Sequence, residues 1–246
     1  MKLKKSLSQN FLINPHLANK LLDAGHFVSG DLVLEIGPGG GALTLPLIEK
    51  GVQLTAIEIS LPHAEELKTT LGDKARIIHE DALKVDINTL YPAERNISLV
   101  SSIPYNITSL LFEHLFSFHS LFKQYLVIVQ KEVGDVLLAK PESENYGILS
   151  IMVQRFTVPK KLFVIVKGNF RPMPNVDSMA LQLEAKPGLQ DDAKAFYFFI
   201  KQIFSLRRKT LEKAFKILGF HPIEDKRRAE MLSADELYHY FSTLKN

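Results

Sequence analysis

The chain has 246 residues, 46% of them hydrophobic and 23% charged, with 30 Lys and Arg against 27 Asp and Glu. That is apolar material for one large domain, or for a large domain with a small one beside it. Cysteine is absent, which excludes disulfides, thiolate catalysis and cysteine-ligated zinc together.

The N-terminus "MKLKKSLSQNFL" is basic, but no apolar segment follows it, so it does not read as a secretory signal. No apolar run approaches the roughly 18 residues that cross a bilayer, and a cytoplasmic location is expected. The eight histidines are scattered without metal-ligand spacing, so no metal site is expected. Residues 15–25 have helical periodicity, with Leu17, Leu21 and Leu22 on one side. "DLVLEIG" (31–37) reads as a buried strand that runs into a glycine-rich turn. "GALTLPLIEKG" carries a helix, interrupted early by Pro46 and closed by Gly51. "VQLTAIEI" (52–59) is a second strand, and Ser60 is placed to cap the helix that follows, with Pro62 in its first turn. "ARIIHEDAL" supplies a third strand, "ISLVSS" a fourth, "LLFEHLFSF" a helix and "QYLVIVQKE" a fifth strand. Apolar strands alternating with helices predict an α/β fold: a mostly parallel sheet covered on both faces.

From Tyr146 the character changes. "YGILSIMVQRF", "KLFVIVKG" and "VDSMALQLEA" read as strands without long helices between them, which predicts antiparallel pairing at one side of the sheet. "AKPGLQDD" (185–192) is a linker by its Pro, Gly and polar residues. Beyond it, "AKAFYFFIKQIFSLRRKTLEKAFKIL" and "SADELYHYFSTL" are helical. The division predicted is therefore 1–186 and 187–246, the second part a small all-helical unit. Phe196, Tyr197, Phe198 and Phe199 are expected in its core, and Tyr125 and Phe156 are expected as buried strand residues. Lys201, Arg207, Arg208, Lys209, Lys213 and Lys216 crowd this region with only Glu212 against them locally, a distribution that suits a polyanion such as RNA.

The turn "EIGPGGGALT" follows a strand and opens a helix. Gly37, Gly39, Gly40 and Gly41 remove side chains so that backbone can approach a ligand closely. Glu58, 21 residues beyond Gly37, falls where an acidic side chain accepts ribose hydroxyls. Gly37, Gly39 and Ala42 also satisfy a dinucleotide fingerprint, but a pyrophosphate disfavours nearby carboxylates. Here Glu35, Glu58 and Asp81 stand at or near successive strand ends. Three acids in phase with a glycine turn favour S-adenosylmethionine, a cationic methyl donor without phosphate, and Asp81 is placed to accept from the amine of its adenine.

"SSIPYN" (101–106) ends the fourth strand. The amine of adenine is a poor nucleophile, because its lone pair is delocalised into the ring. A site that methylates it must hold the N–H bonds with acceptors and stack the base once it has left its helix. The Ser102 hydroxyl, the Pro104 carbonyl and the Tyr105 ring offer those parts.

"SQNFL" (8–12), "LEIGPGGGALT", "AIEI", "EDAL", "IPYNIT", "QKEV", "YGILSIMVQ", "FRPMPNVDS" and "RRKTL" occur in this order, and over residues 4–243 the chain resembles the small-subunit rRNA adenine dimethyltransferases, the KsgA family. The resemblance implies a Rossmann-like S-adenosylmethionine-dependent methyltransferase with a seven-stranded sheet. It also implies Asn10 and Leu12 closing over the cofactor, with Gly37, Gly39, Glu58, Asp81 and Ser102 among the residues that bind it. Tyr105 and Phe170 would sandwich the target adenine, and Arg207, Arg208 and Lys209 would face rRNA phosphate. The implied reaction dimethylates the N6 amines of two adjacent adenosines near the 3′ end of small-subunit (16S) rRNA. The implied partner is the small ribosomal subunit or its precursor, during ribosome biogenesis.

One departure stands out: Ser102 occupies a place where the family usually has Asn. Three other readings stay open on sequence alone: an erythromycin-resistance type dimethyltransferase acting on large-subunit rRNA, a ribosome-assembly binding factor without catalysis, and an NAD-dependent oxidoreductase. The last lacks a convincing catalytic Tyr-x-x-x-Lys or His/Asp pairing after the glycine turn.

Overall fold

The structure, a computed structural model, describes residues 10–92 and 96–244. Lys2, Lys4 and Lys5 of the basic N-terminus and the start of "SQNFL" lie outside the described residues. Five strands, β2 (Leu32–Ile36), β3 (Gln53–Glu58), β4 (Ala75–His79), β5 (Ile97–Ser102) and β6 (Phe122–Gln130), pair in parallel. Two more, β7 (Thr157–Ile165) and β9 (Ser178–Ala185), complete the sheet, β9 pairing antiparallel with both β6 and β7. The seven lie in the order β4-β3-β2-β5-β6-β9-β7. The mostly parallel sheet with an antiparallel flank agrees with the pattern of the sequence. β2 and β5 are buried almost throughout, as strands covered on both faces must be.

Helices α1 (Pro15–Asp23), α2 (Thr44–Glu49), α3 (Leu61–Leu71), α4 (Ile87–Leu90), α5 (Thr108–Phe116) and α6 (Lys131–Leu137) alternate with these strands. Asn14 caps α1, its Oδ1 accepting from the amides of His16 and Leu17 at 3.1 and 3.4 Å, with Pro15 in the first turn. Pro46 falls in the first turn of α2, where its missing N–H is harmless; the helix begins there and is not interrupted. Ser60 stands at the cap position of α3, but its side chain makes no capping bond. Its amide donates instead to Glu58 Oε1, 2.8 Å away.

"YGILSIMVQRF" departs from the expectation of a strand: Ile148–Phe156 is helix α7. A short continuous apolar run does not separate helix from strand by period, and here burial around the helix explains the run. Ser150, Ile151, Met152, Val153 and Phe156 are all buried, between α5 and α6 on one side and the C-terminal helices on the other. The helix start is fixed by the Gly147 amide donating to Ser150 Oγ, which donates in turn to Val136 O at 2.7 Å. Phe156 is thus buried as a helical residue and Tyr125 as a strand residue.

The C-terminal unit consists of α8 (Ala193–Ser205), α9 (Leu211–Leu218) and α10 (Ala234–Thr243). The long helix expected over 193–218 is broken at residues 206–210, which form a turn. The unit's apolar side chains are continuous with those packed on the sheet. One apolar cluster runs from Leu34 and Phe116 through Tyr146 and Phe156 to Phe196, Phe215 and Phe241, and each fully buried Phe contributes roughly 1.5–3 kcal/mol. Phe196 and Phe199 are in that core, Tyr197 is half-buried, and Phe198 is exposed. The junction is also pinned by polar groups. Arg155 donates to Asp191 at 2.7 Å and Asp235 at 2.8 Å while its guanidinium lies over the Tyr238 ring, and the Tyr146 hydroxyl donates to Leu232 O.

A small ribbon completes the fold. β1 (Phe11–Leu12) pairs antiparallel with β8 (Phe170–Arg171), Phe11 opposite Arg171 and Leu12 opposite Phe170. The Ile13 amide donates to Asn169 O and Asn14 Nδ2 to Asn169 Oδ1, both at 2.9 Å. The start of the described chain is therefore strapped across the sheet by the "FRPMP" segment.

Candidate active site

The order of strands reverses between β2 and β5, and a parallel sheet opens a crevice at the carboxyl ends of the strands there. Ser101 Oγ donates to Ile36 O at 2.7 Å and locks the two strands at that point. A cleft of about 200 Å³ occupies the crevice.

Its first wall is the glycine turn. Gly37, Gly39 and Gly41 have φ of +70°, +53° and +83°, a region that glycine enters without steric penalty. The Gly37 amide donates to Ile57 O at 2.9 Å, which ties the turn to β3. Gly39 has a second reason to lack a side chain: a Cβ there would overlap the Phe11 ring. Glu58, at the end of β3, is buried. Its Oε2 accepts from the Gly39 amide at 3.0 Å and its Oε1 from the Ser60 amide. One carboxylate thus joins the turn to the start of α3, and each oxygen keeps a lone pair for a ligand hydroxyl.

Asp81 follows β4, its Oδ1 accepting from the Leu83 amide at 3.0 Å. Glu35 lies deeper, with 1% of its surface exposed and Oε2 without a hydrogen-bond partner among the described residues. Burial pushes its carboxyl up to about 8; the Thr44 hydroxyl beside it opposes the shift and the Glu58 carboxylate reinforces it. Asn10 and Leu12 line the cleft from the strap side.

The opposite wall is the segment after β5. Ser102, Pro104 and Tyr105 all line the same cleft as the glycine turn and the acids. The Tyr105 hydroxyl lies 2.9 Å from Ser178 Oγ. Burial raises the phenol above its ordinary pKa, with Ser178 opposing and Glu132 adding to the shift, so the ring stays protonated and neutral at physiological pH. The Pro104 carbonyl is engaged: it accepts from the Ile107 amide at 3.2 Å and from Thr108 Oγ1 at 3.4 Å, at the start of α5. To hold an adenine amine it must share its lone pairs with that turn.

Phe170 and the expected RNA-facing cations stand apart from the cleft. Phe170 does not line the cleft; it is 1% exposed and packed with Leu12, Ile128, Ile165 and Ala180. To stack on a base opposite Tyr105, Phe170 would have to leave this packing. Arg207, Arg208 and Lys209 sit in the turn between α8 and α9. Arg207 is held by Glu230, its Nε and Nη2 donating to Oε2 at 3.0 and 2.8 Å, an acid brought from 23 residues away. Arg208 and Lys209 are exposed, with no side-chain partner among the described residues.

Sequence reasoning passed over several residues that the fold places here. Thr210 bridges to Arg228, which lays "KRR" (226–228) beside "RRK" (207–209) and adds Lys226 and Arg228 to the same basic edge. Phe11 and Ser178 were already inside the motifs "QNFL" and "NVDS". His63, behind Phe11, carried no signal beyond being one histidine in a helix. Among the described residues no cluster of His, Asp or Glu is placed to hold a metal, and no helix is long and apolar enough to cross a membrane.

The cleft suits S-adenosylmethionine on the chemistry of its donors: carboxylates at successive strand ends, a buried acid with a vacant oxygen, and bare backbone with open space at Gly37. Known proteins agree. Residues 1–245 match the family model described as ribosomal RNA adenine dimethylase. A protein of Clostridium acetobutylicum named ribosomal RNA small subunit methyltransferase A is 36% identical over 94% of this chain and 90% of its own. A protein of the same name from Thermotoga maritima is 36% identical over 96% and 84%. Among solved structures, a dimethyladenosine transferase from Plasmodium falciparum superposes with a TM-score of 0.80 at 24% identity, covering 96% of this chain and 98% of that one. The 23S rRNA methyltransferase ErmE superposes at 0.65 with 20% identity, covering 96% and 100%; these two likenesses speak to the fold alone. By its match along nearly its whole length, the chain belongs to the ribosomal RNA adenine dimethylase family.

Proposed function

We propose that this protein transfers methyl groups from S-adenosylmethionine to the N6 amines of two adjacent adenosines near the 3′ end of small-subunit rRNA, leaving both as N6,N6-dimethyladenosine. Its substrate would be the small ribosomal subunit or its precursor in the cytoplasm. The observation that carries the reading is the meeting of the glycine turn, Glu58 and Asp81 with Ser102, Pro104 and Tyr105 in one cleft. The relatives at 36% identity bear the small-subunit name, which favours this reading over the large-subunit enzymes.

When bound, the cofactor supplies an electrophilic methyl carbon on a cationic sulfur. The chain's own groups do the rest. Glu58 offers acceptors to ribose hydroxyls and Asp81 to an adenine amine, while Glu35, whose burial favours the protonated carboxyl, offers an oxygen lone pair rather than a full charge. Tyr105 gives a flat face on which an extruded base can stack. Ser102, half-buried at the end of β5, accepts one N–H of the target amine and frees its lone pair for attack. No side chain in the cleft is needed as a strong base, because the methylated amine is acidic enough to lose its proton to water.

The test is transfer of labelled methyl groups to isolated small subunits lacking the modification, with large-subunit rRNA alongside. Label confined to small subunits, up to four methyl groups each, is expected. Label in large-subunit rRNA would favour the erythromycin-resistance type, and no label in either would favour a binding factor.

A further inference from the structure

The glycine turn, the first turn of α3 and the strap form a closed circuit of contacts. Glu58 bonds the Gly39 amide on one side and the Ser60 amide on the other, joining turn to helix. The Phe11 ring fills the space over Gly39, joining strap to turn. His63, in the first turn of α3, meets Phe11 edge to face, with ring centroids 5.3 Å apart and planes at 88°, joining helix to strap. Phe11 lines the cleft and His63 does not. The histidine is 4% exposed, and its Nδ1 is buried without a hydrogen-bond partner among the described residues. A buried ring nitrogen without a partner costs stability, and an aliphatic side chain would fill the same space without that cost. What the imidazole provides is a ring edge or face for Phe11.

We propose that His63 is a positioning residue for cofactor retention: it holds Phe11 over the glycine turn and so keeps the β1 strap closed across the cleft. The inference rests on the functional reading above. His63 touches neither cofactor nor substrate; it acts through Phe11. The strap is also tied by the β1–β8 pairing, in which Phe11 lies opposite Arg171, and by Asn14 on Asn169; the Phe11–His63 contact adds a tie on the glycine-turn side. Opening that contact would loosen the strap over the cleft.

The experiment uses the full chain and S-adenosylmethionine itself, with binding by calorimetry, release by stopped flow and turnover on small subunits. His63→Ala is expected to raise the cofactor Kd and KM about threefold to tenfold, the range an aromatic pair of this kind carries, through faster release and with kcat at saturation within about twofold. His63→Phe restores ring packing and is expected to return the Kd to the wild-type range. The double variant Phe11→Ala with His63→Ala is expected to bind no worse than Phe11→Ala alone. An unchanged Kd in a folded His63→Ala protein overturns the proposal, as do fully multiplicative effects in the double variant. If His63→Ala does not fold, His63→Phe decides alone: weakened binding overturns the proposal and retained binding upholds it. If the wild-type chain fails to bind S-adenosylmethionine at all, the functional reading falls; if it binds and the variants bind equally well, only the role of His63 falls.

Discussion

The Tyr105 hydroxyl and the Ser178 hydroxyl lie 2.9 Å apart, across 73 residues of chain. This bond joins the loop after β5 to the first residue of β9 and fixes the ring that forms one wall of the cleft. The side chain therefore has two separable parts, a stacking face and an anchored hydroxyl.

Replacing Tyr105 by Ala removes both. Loss of base stacking, worth about 1–3 kcal/mol, should lower kcat/KM on small subunits about 10- to 100-fold with cofactor affinity little changed. Tyr105→Phe keeps the face and loses only a hydrogen bond of about 1 kcal/mol, so most activity should survive. Equal loss in both variants would show that the hydroxyl, not the ring, carries the function.

Ser102 presents a shorter acceptor than the Asn usual at this position. Ser102→Asn should speed the first methylation of each adenosine, where two N–H bonds must be held, more than the second, where one remains. Single-turnover rates resolve the two steps; no change in the first removes the role assigned to this side chain.

Glu35 makes stability depend on pH. Its carboxyl is raised from the usual 4.5 to about 8 by burial, so between those values the folded chain holds a proton that the unfolded chain releases. Its contribution is fully present below pH 4.5 and is lost as pH rises toward 8, by up to about 1.4 kcal/mol per unit. Thermal denaturation of the cofactor-free protein should show Glu35→Gln gaining on the wild type from pH 5 to pH 8. Parallel curves would mean that the carboxyl is not held neutral.

Three adjacent cations should behave differently. Arg207 is paired with Glu230, with half its side chain exposed, so Arg207→Ala should cost at most about 1 kcal/mol of stability. Replacing Arg208 and Lys209 with Ala should leave the melting temperature alone and weaken subunit binding. The plot of log affinity against log salt should then flatten by about 0.7–0.9 for each phosphate that is no longer neutralised. Identical effects from all three would dissolve the distinction between structural and RNA-facing cations.

Much of this was legible in the sequence because the central strands are covered on both faces. Burial forces continuous apolar runs in β2, β3, β5 and β6, and the turn after β2 needs glycine at positive φ, so both leave marks in one dimension. The acids at strand ends were legible for the same reason. What the sequence concealed depends on three-dimensional partners. Helix α7 is buried on more than one side, so its period is erased and it reads as a strand. Arg207 looked free because Glu230 reaches it only after the chain turns back. The Pro104 carbonyl looked available because the turn into α5 that engages it is not visible in "IPYNIT". The edge-to-face contact of His63 with Phe11 needs two segments 52 residues apart and leaves no local pattern.

The most direct measurement is mass spectrometry of small-subunit rRNA from cells with and without this gene. Paired N6,N6-dimethyladenosines near the 3′ end should be present with it, absent without it, and restored by the wild-type chain but not by Tyr105→Ala. Dimethylation that persists without the gene, or a loss seen only in large-subunit rRNA, would contradict the assignment.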